Sequence, residues 1–180
     1  MFEATASEIS YNKLANKLKS LGFSLSKNTI IEYITIFEDA YLFFQNLKYE
    51  YSLTKQLGAI KKIYCIDNGL LNAVSFKFSD NFGKLMENLV FIELKRQRKE
   101  IYYNKQNYEC DFLIKEKNKI VLPIQVSYKL NEENYKRELN GLLEALNKYK
   151  LKEGVIITSN IEKKFRIKNK VIKIFPLWKW

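Results

Sequence analysis

Two amphipathic stretches, residues 82–98 and 132–149, bracket three strand-like runs separated by polar turns, and this order narrows the choice of fold more than any other feature. In the first stretch Leu85, Leu89 and Ile92, joined by Val90, recur at the period of a helix with one buried face. In the second, Leu139, Leu142, Leu143 and Leu146 do the same. The runs 101–103, 109–114 and 120–128 between them, with turns at 104–107 and 115–119, suit an antiparallel meander. Residues 154–158 then read as a fully buried strand and 171–175 as a last one. The order αβββαββ predicts an α/β (α+β) domain on a central mixed sheet.

Upstream, Ser10 caps a helix carrying Leu14, Leu18 and Leu21 on one face, Gly22 ends it, and Ser26 caps a second helix with Ile30, Ile34, Phe37 and Tyr41 at helical spacing. Two helices joined by a glycine-containing turn make a helix-turn-helix candidate. The β-prone runs 42–44, 48–53 and 60–65 that follow suit the hairpin of a wing. Asp67-Asn68-Gly69 is turn chemistry and marks the boundary between a winged-helix module, 1–69, and a second domain, 70–180.

With 47% apolar residues, two prolines and six glycines, the chain is folded nearly throughout. No apolar run approaches a bilayer span, and the N-terminus lacks a signal-peptide profile, so the expected location is cytoplasmic with no membrane partner. Cys65 and Cys110 lie in apolar stretches, and with no histidine in the chain they read as buried structural thiols. The net charge of +11 favours an anionic partner. It is unevenly placed: residues 1–70 hold eight Lys/Arg against seven Asp/Glu, residues 71–180 hold 23 against 13. There is no Walker A loop, hence no ATP site in this chain.

Alternation along the second strand puts Asp111 opposite Cys110 and Phe112, on the side of Glu109. On the third strand Gln125, Ser127 and Lys129 share one face, and Glu87 on the preceding helix is placed to face the same spot. The helix with Glu87, then Glu109-Cys110-Asp111-Phe112, then Pro123-Ile124-Gln125-Val126-Ser127, resembles the PD-(D/E)XK, or restriction-endonuclease-like, fold. More closely, Gly83 to Asn88, Tyr102-Tyr103, Glu109 to Phe112, Gln125-Val126 and Lys136-Arg137-Glu138 resemble the uncharacterised C-terminal region of archaeal and bacterial AAA+ ATPases, in which a winged helix precedes this domain.

The resemblance implies a metal site in which an Asp and a Glu hold Mg²⁺ and a lysine helps to activate water. Asp111 matches the Asp, but Gln125 stands at the Glu position and Ser127 at the lysine position. Glu87, Asp111 and Gln125 are then the metal candidates, with Lys129 a displaced substitute for the catalytic lysine. The expected function is DNA binding and targeting beside a AAA+ ATPase domain, with a degenerate nuclease site. The alternatives are a Mg²⁺-dependent DNA endonuclease and a protein-interaction or assembly scaffold. Candidate DNA contacts are Lys27, Asn28 and Thr29 at the start of the second helix, Lys61 and Lys62 on the wing, and Lys163, Lys164, Arg166 and Lys168 near the end.

Overall fold

The computed structural model describes residues 2–74 and 82–180. After a 3-10 turn at Phe2–Ala4 come β1 (Ser7–Ile9), α1 (Tyr11–Ser20), α2 (Lys27–Asp39), β2 (Phe43–Lys48), α3 (Leu53–Gly58), β3 (Lys61–Cys65) and α4 (Asn68–Val74). Then follow α5 (Phe82–Arg96), β4 (Glu100–Lys105), β5 (Glu109–Glu116), β6 (Lys119–Val126), α6 (Glu132–Lys148), β7 (Glu153–Thr158), β8 (Lys163–Ile167) and β9 (Lys170–Pro176). All nine strands of the described residues lie in one mixed sheet, ordered β1-β3-β2-β4-β5-β6-β7-β9-β8.

The meander β4-β5-β6 is antiparallel, as its short polar turns require. From the end of β6 the chain crosses over through α6 and returns as β7, parallel to β6, the connection that a helix of this length permits. Alternation along β7 divides the core. Val155 and Ile157 pack with Phe112, Ile124 and the α5 residues Val90 and Phe91, whereas Ile156 packs with Cys110 and the α6 residues Leu142 and Leu146. The two helices therefore cover opposite faces, each supplying several side chains worth about 1.5–3 kcal/mol apiece when fully buried.

Caps at Ser10 and Ser26 accept the backbone N–H of Lys13 and Thr29, and Gly22 takes the left-handed conformation at φ 91°. Both cysteines are free and buried. At the C-terminus Leu177 and Trp180 pack against the α5 side of the core, and Trp178 faces solvent.

Three expectations need correction. The hairpin β2–β3 is no free wing, because β1 pairs with its outer edge and β4 pairs in parallel with its inner edge at Leu47↔Tyr102 and Lys48↔Tyr103. The run 48–53 is not a strand: β2 stops at Lys48 and Ser52 caps α3. Asp67-Asn68-Gly69 is not a plain turn but the start of a helix, the Asp67 carboxylate accepting the N–H of Leu70 at 2.7 Å in the first turn of α4. The sheet also gains β8, a strand hidden in the sequence because its charged residues leave only Phe165 and Ile167 half-buried. Its lysines blunt an exposed sheet edge.

Candidate functional site

The start of β5 and the end of β6 open into a cleft of 780 Å³ whose walls include Glu87, Glu109, Asp111, Gln125, Ser127 and Glu138. Register explains the convergence: Phe112 lies opposite Ile124, so Asp111 and Gln125 stand next to each other one residue further on. The Asp111 N–H donates to Gln125 Oε1 at 3.3 Å, and the Val126 N–H donates to Asp111 Oδ2 at 2.9 Å. Glu87 enters from α5, Glu138 from α6.

The centre of the cluster is Lys62. Its Nζ lies 2.9 Å from Glu87 Oε1, 2.5 Å from Glu109 Oε1 and 3.2 Å from Asp111 Oδ1, and its side chain is 2% exposed. As a DNA contact on a wing Lys62 is therefore ruled out, since a phosphate cannot reach it. Tyr64, two residues along β3, donates its hydroxyl to the same Glu87 oxygen at 2.7 Å.

Burial opposes the charge on Lys62, but Tyr64, Glu87, Asp111 and Glu109 around it hold its pKa well above the ordinary lysine range. Asp111 is pushed well above the usual carboxylate range, first by burial and then by the charge of Glu87, with Lys62 pulling the other way. Burial also works against ionised Glu109, yet Lys62 and Lys105 draw its pKa below the usual value. Even with Lys105 beside Glu109, two ammoniums face three carboxylates, and burial bears hardest on Asp111.

Mg²⁺ does not fit these residues. Glu87 Oε1 accepts from both Lys62 and Tyr64, both oxygens of Asp111 are taken, and Gln125 gives its amide to Glu138 Oε2 at 2.5 Å. Among the described residues no group of three or more His, Cys, Asp or Glu side chains is arranged to hold a metal ion. The expected set of Glu87, Asp111 and Gln125 is thus brought together, but around an ammonium. Lys129 lies exposed on the rim of the cleft, where its carbonyl accepts from Ser127 and Asn134.

The other expected contacts lie elsewhere. Lys27 and Lys61 line a separate groove of 430 Å³, with Lys61 Nζ 3.3 Å from the Tyr11 hydroxyl. Asn28 is exposed, and Thr29 is occupied in the cap with Ser26. Lys163, Lys164, Arg166 and Lys168 are all exposed at the β8 edge.

Residues 82–180, which supply all of these carboxylates, match the family DUF4143, a domain of unknown function. The chain belongs to the DUF4143 family. Its residues 1–81 match a second domain of unknown function, DUF8612, so the sheet runs through both. The uncharacterized protein MJ1544 of Methanocaldococcus jannaschii is 42% identical over 187 residues, covering 97% of this chain and 41% of that protein. An uncharacterized protein of Haemophilus influenzae is 31% identical over 140 residues, covering 77% of this chain and 34% of that protein. The chain thus spans less than half the length of these curated relatives. No solved structure gives a significant match.

Within the DUF4143 part, sequence reasoning left the role of Glu138 open. It is 6% exposed, bonded to Gln125 and to the Arg137 guanidinium. The signal was present in Lys136-Arg137-Glu138, but only the pitch of α6 turns the third residue inward. Gln125→Glu would set a second carboxylate against Glu138 in a buried place, where like charges disfavour ionisation. That change is expected to cost about 1–3 kcal/mol, as for a buried hydrogen bond replaced by an unsatisfied group. Denaturant midpoints of wild type and variant measure it, and an unchanged midpoint refutes the tight Gln125–Glu138 contact.

Proposed function

We propose that this chain is a DNA-binding and targeting module of a AAA+ ATPase-type protein, in which a restriction-endonuclease-like site no longer cuts. The observation that carries the reading is the exposed row Lys163, Lys164, Arg166 and Lys168 on the free edge of the sheet. Lys164 and Arg166 share one face of β8, Lys163 takes the other and Lys168 stands in the turn just after it. This cluster of positive charge attracts phosphate mainly through lysine, without the bidentate base recognition that arginine gives. Binding is therefore weakly selective for sequence.

Two further points support it. DUF4143 domains commonly stand at the C-termini of AAA ATPases, and the relatives continue well beyond the matched part. The run α5-β4-β5-β6-α6-β7, with Glu87 on α5 and Asp111 near the start of β5, supports the PD-(D/E)XK reading. Loss of cutting follows from Lys62 in the acidic cluster and from Gln125 and Ser127, neither of which offers the charge that phosphodiester hydrolysis needs.

The test is a salt series of duplex binding by gel shift. Affinity should fall steeply with salt, and alanine at Lys163, Lys164, Arg166 and Lys168 together should lower it at least about tenfold and flatten the slope, since each lost phosphate contact removes about 0.9 from it. Equal binding by the quadruple variant overturns the assignment of this edge. In the same mixtures plasmid should survive Mg²⁺. Robust cutting, lost on Asp111→Ala and on Lys129→Ala, would make the chain a nuclease.

A further inference from the structure

Lys62 belongs to the DUF8612 part, yet its ammonium ends among carboxylates that all belong to the DUF4143 part. Its backbone is fixed from both sides, because β3 pairs with β1 at Glu8↔Lys62 and with β2 at Asn46↔Lys62. Pairing on both sides fixes the face of the sheet from which the side chain leaves. The next residues of both partners repeat the join: Tyr64 donates to Glu87, and Asn88 brackets the backbone of Cys65, accepting its N–H at 2.8 Å and donating to its C=O at 2.9 Å.

Glu87, Glu109 and Asp111 come from a helix and a strand and point at one buried spot, an arrangement that repels itself unless a cation fills the centre. A divalent ion and an ammonium meet the same need, and they exclude each other by both volume and charge. At 2.5–3.2 Å from an oxygen of each of the three, Nζ leaves no room for a metal between them.

We propose that Lys62 is the resident cation of this site: an ammonium supplied by the N-terminal part holds the place that a divalent metal takes in a nuclease, and in doing so fastens the two family segments together. The assignment rests on the nuclease-like reading of the cleft but not on DNA binding, since it concerns only what neutralises the cluster. It also gives the two segments a reason to occur in one sheet, because Lys62 is the cation with which Glu87 and Asp111 pair, whereas Glu109 also has Lys105 of its own segment.

The test begins with the wild-type chain labelled with ¹⁵N at lysine. A buried, three-fold paired ammonium exchanges its protons slowly, and Lys62 is identified by its proximity to the Tyr103 ring, whose centroid lies 5.7 Å from Nζ. The expected result is a slowly exchanging Nζ signal that persists, unbroadened, in excess Mn²⁺. Its absence, or its loss to paramagnetic broadening on adding Mn²⁺, overturns the proposal. A second arm uses Lys62→Met, which keeps much of the stem and removes the charge. That variant should gain a saturable Mn²⁺ site at least tenfold tighter than any in wild type, lost again when Glu87→Gln is added. A folded Lys62→Met chain that binds Mn²⁺ no better than wild type also overturns it, and if the variant does not fold the wild-type signal decides alone.

Discussion

Lys62→Ala is expected to destabilise the fold by about 3–5 kcal/mol, the range for removing one partner of a buried ion pair and leaving the other uncompensated. Here three carboxylates are left, and Glu87 and Asp111 retain little access to water. Burial pushes the Asp111 pKa up, and its easier protonation limits the loss without cancelling it, because Glu87 and Glu109 have both lost their shared cation. Asp111→Asn should behave very differently. An amide keeps an acceptor for the Val126 N–H and removes one charge from a cluster that carries an excess of them, but sets its NH2 against the Lys62 ammonium, so a cost of about 1–2 kcal/mol is expected. Urea unfolding with a common slope separates the two outcomes. A loss below about 1 kcal/mol for Lys62→Ala would mean that water reaches the cluster and that the pairing contributes no more than a surface bridge does.

The contrast between these residues shows how far a sequence can be followed. The strand period and the helix face alone bring Asp111, Glu109 and Glu87 together, because alternation and helical pitch are local rules. The same rules give Gln125 on β6 and Ser127 just past its end, both buried, and the caps at Ser10 and Ser26. What local rules could not supply was the strand order. Nothing between Phe43 and Cys65 reveals that β2 docks in parallel on β4 rather than standing free, since a hairpin and a sheet edge have the same alternation. Lys62 is legible as a lysine in an apolar run, Ile60 to Cys65, and a lysine there commonly faces water. Its burial depends on carboxylates 25 to 49 residues away, a pairing at long range that no window of sequence contains. The strand β8 escaped for the opposite reason. Its charge pattern is that of a solvated loop, and only the free edge of β9 makes a strand of it.

Gly141 is the remaining residue whose meaning is visible only in three dimensions. In sequence it is a helix-interior glycine among leucines, a position where alanine would normally add about 1 kcal/mol. In the fold α6 presses so closely on β5 that a Cβ at Gly141 would stand 2.0 Å from the carbonyl oxygen of Glu109 and 3.0 Å from its carbon. Both are backbone atoms, so no side-chain rotation relieves the clash, and helix or strand must move. A shift of α6 would pull Glu138, three residues earlier on the same face, away from Gln125. It would also lift Leu142 from Gly154, where the strand has no Cβ and the leucine methyl groups fill the space. Gly141→Ala is therefore expected to lose about 2 kcal/mol net, the cost of overpacking exceeding the gain in helix propensity. Gly58→Ala in α3, where an added Cβ meets nothing within 4 Å, is expected to gain up to about 1 kcal/mol. Thermal and urea unfolding of the two variants side by side should thus give shifts of opposite sign. A stabilised Gly141→Ala chain would show that α6 stands further from β5, and with it the buried contact between Glu138 and Gln125 would have to be abandoned.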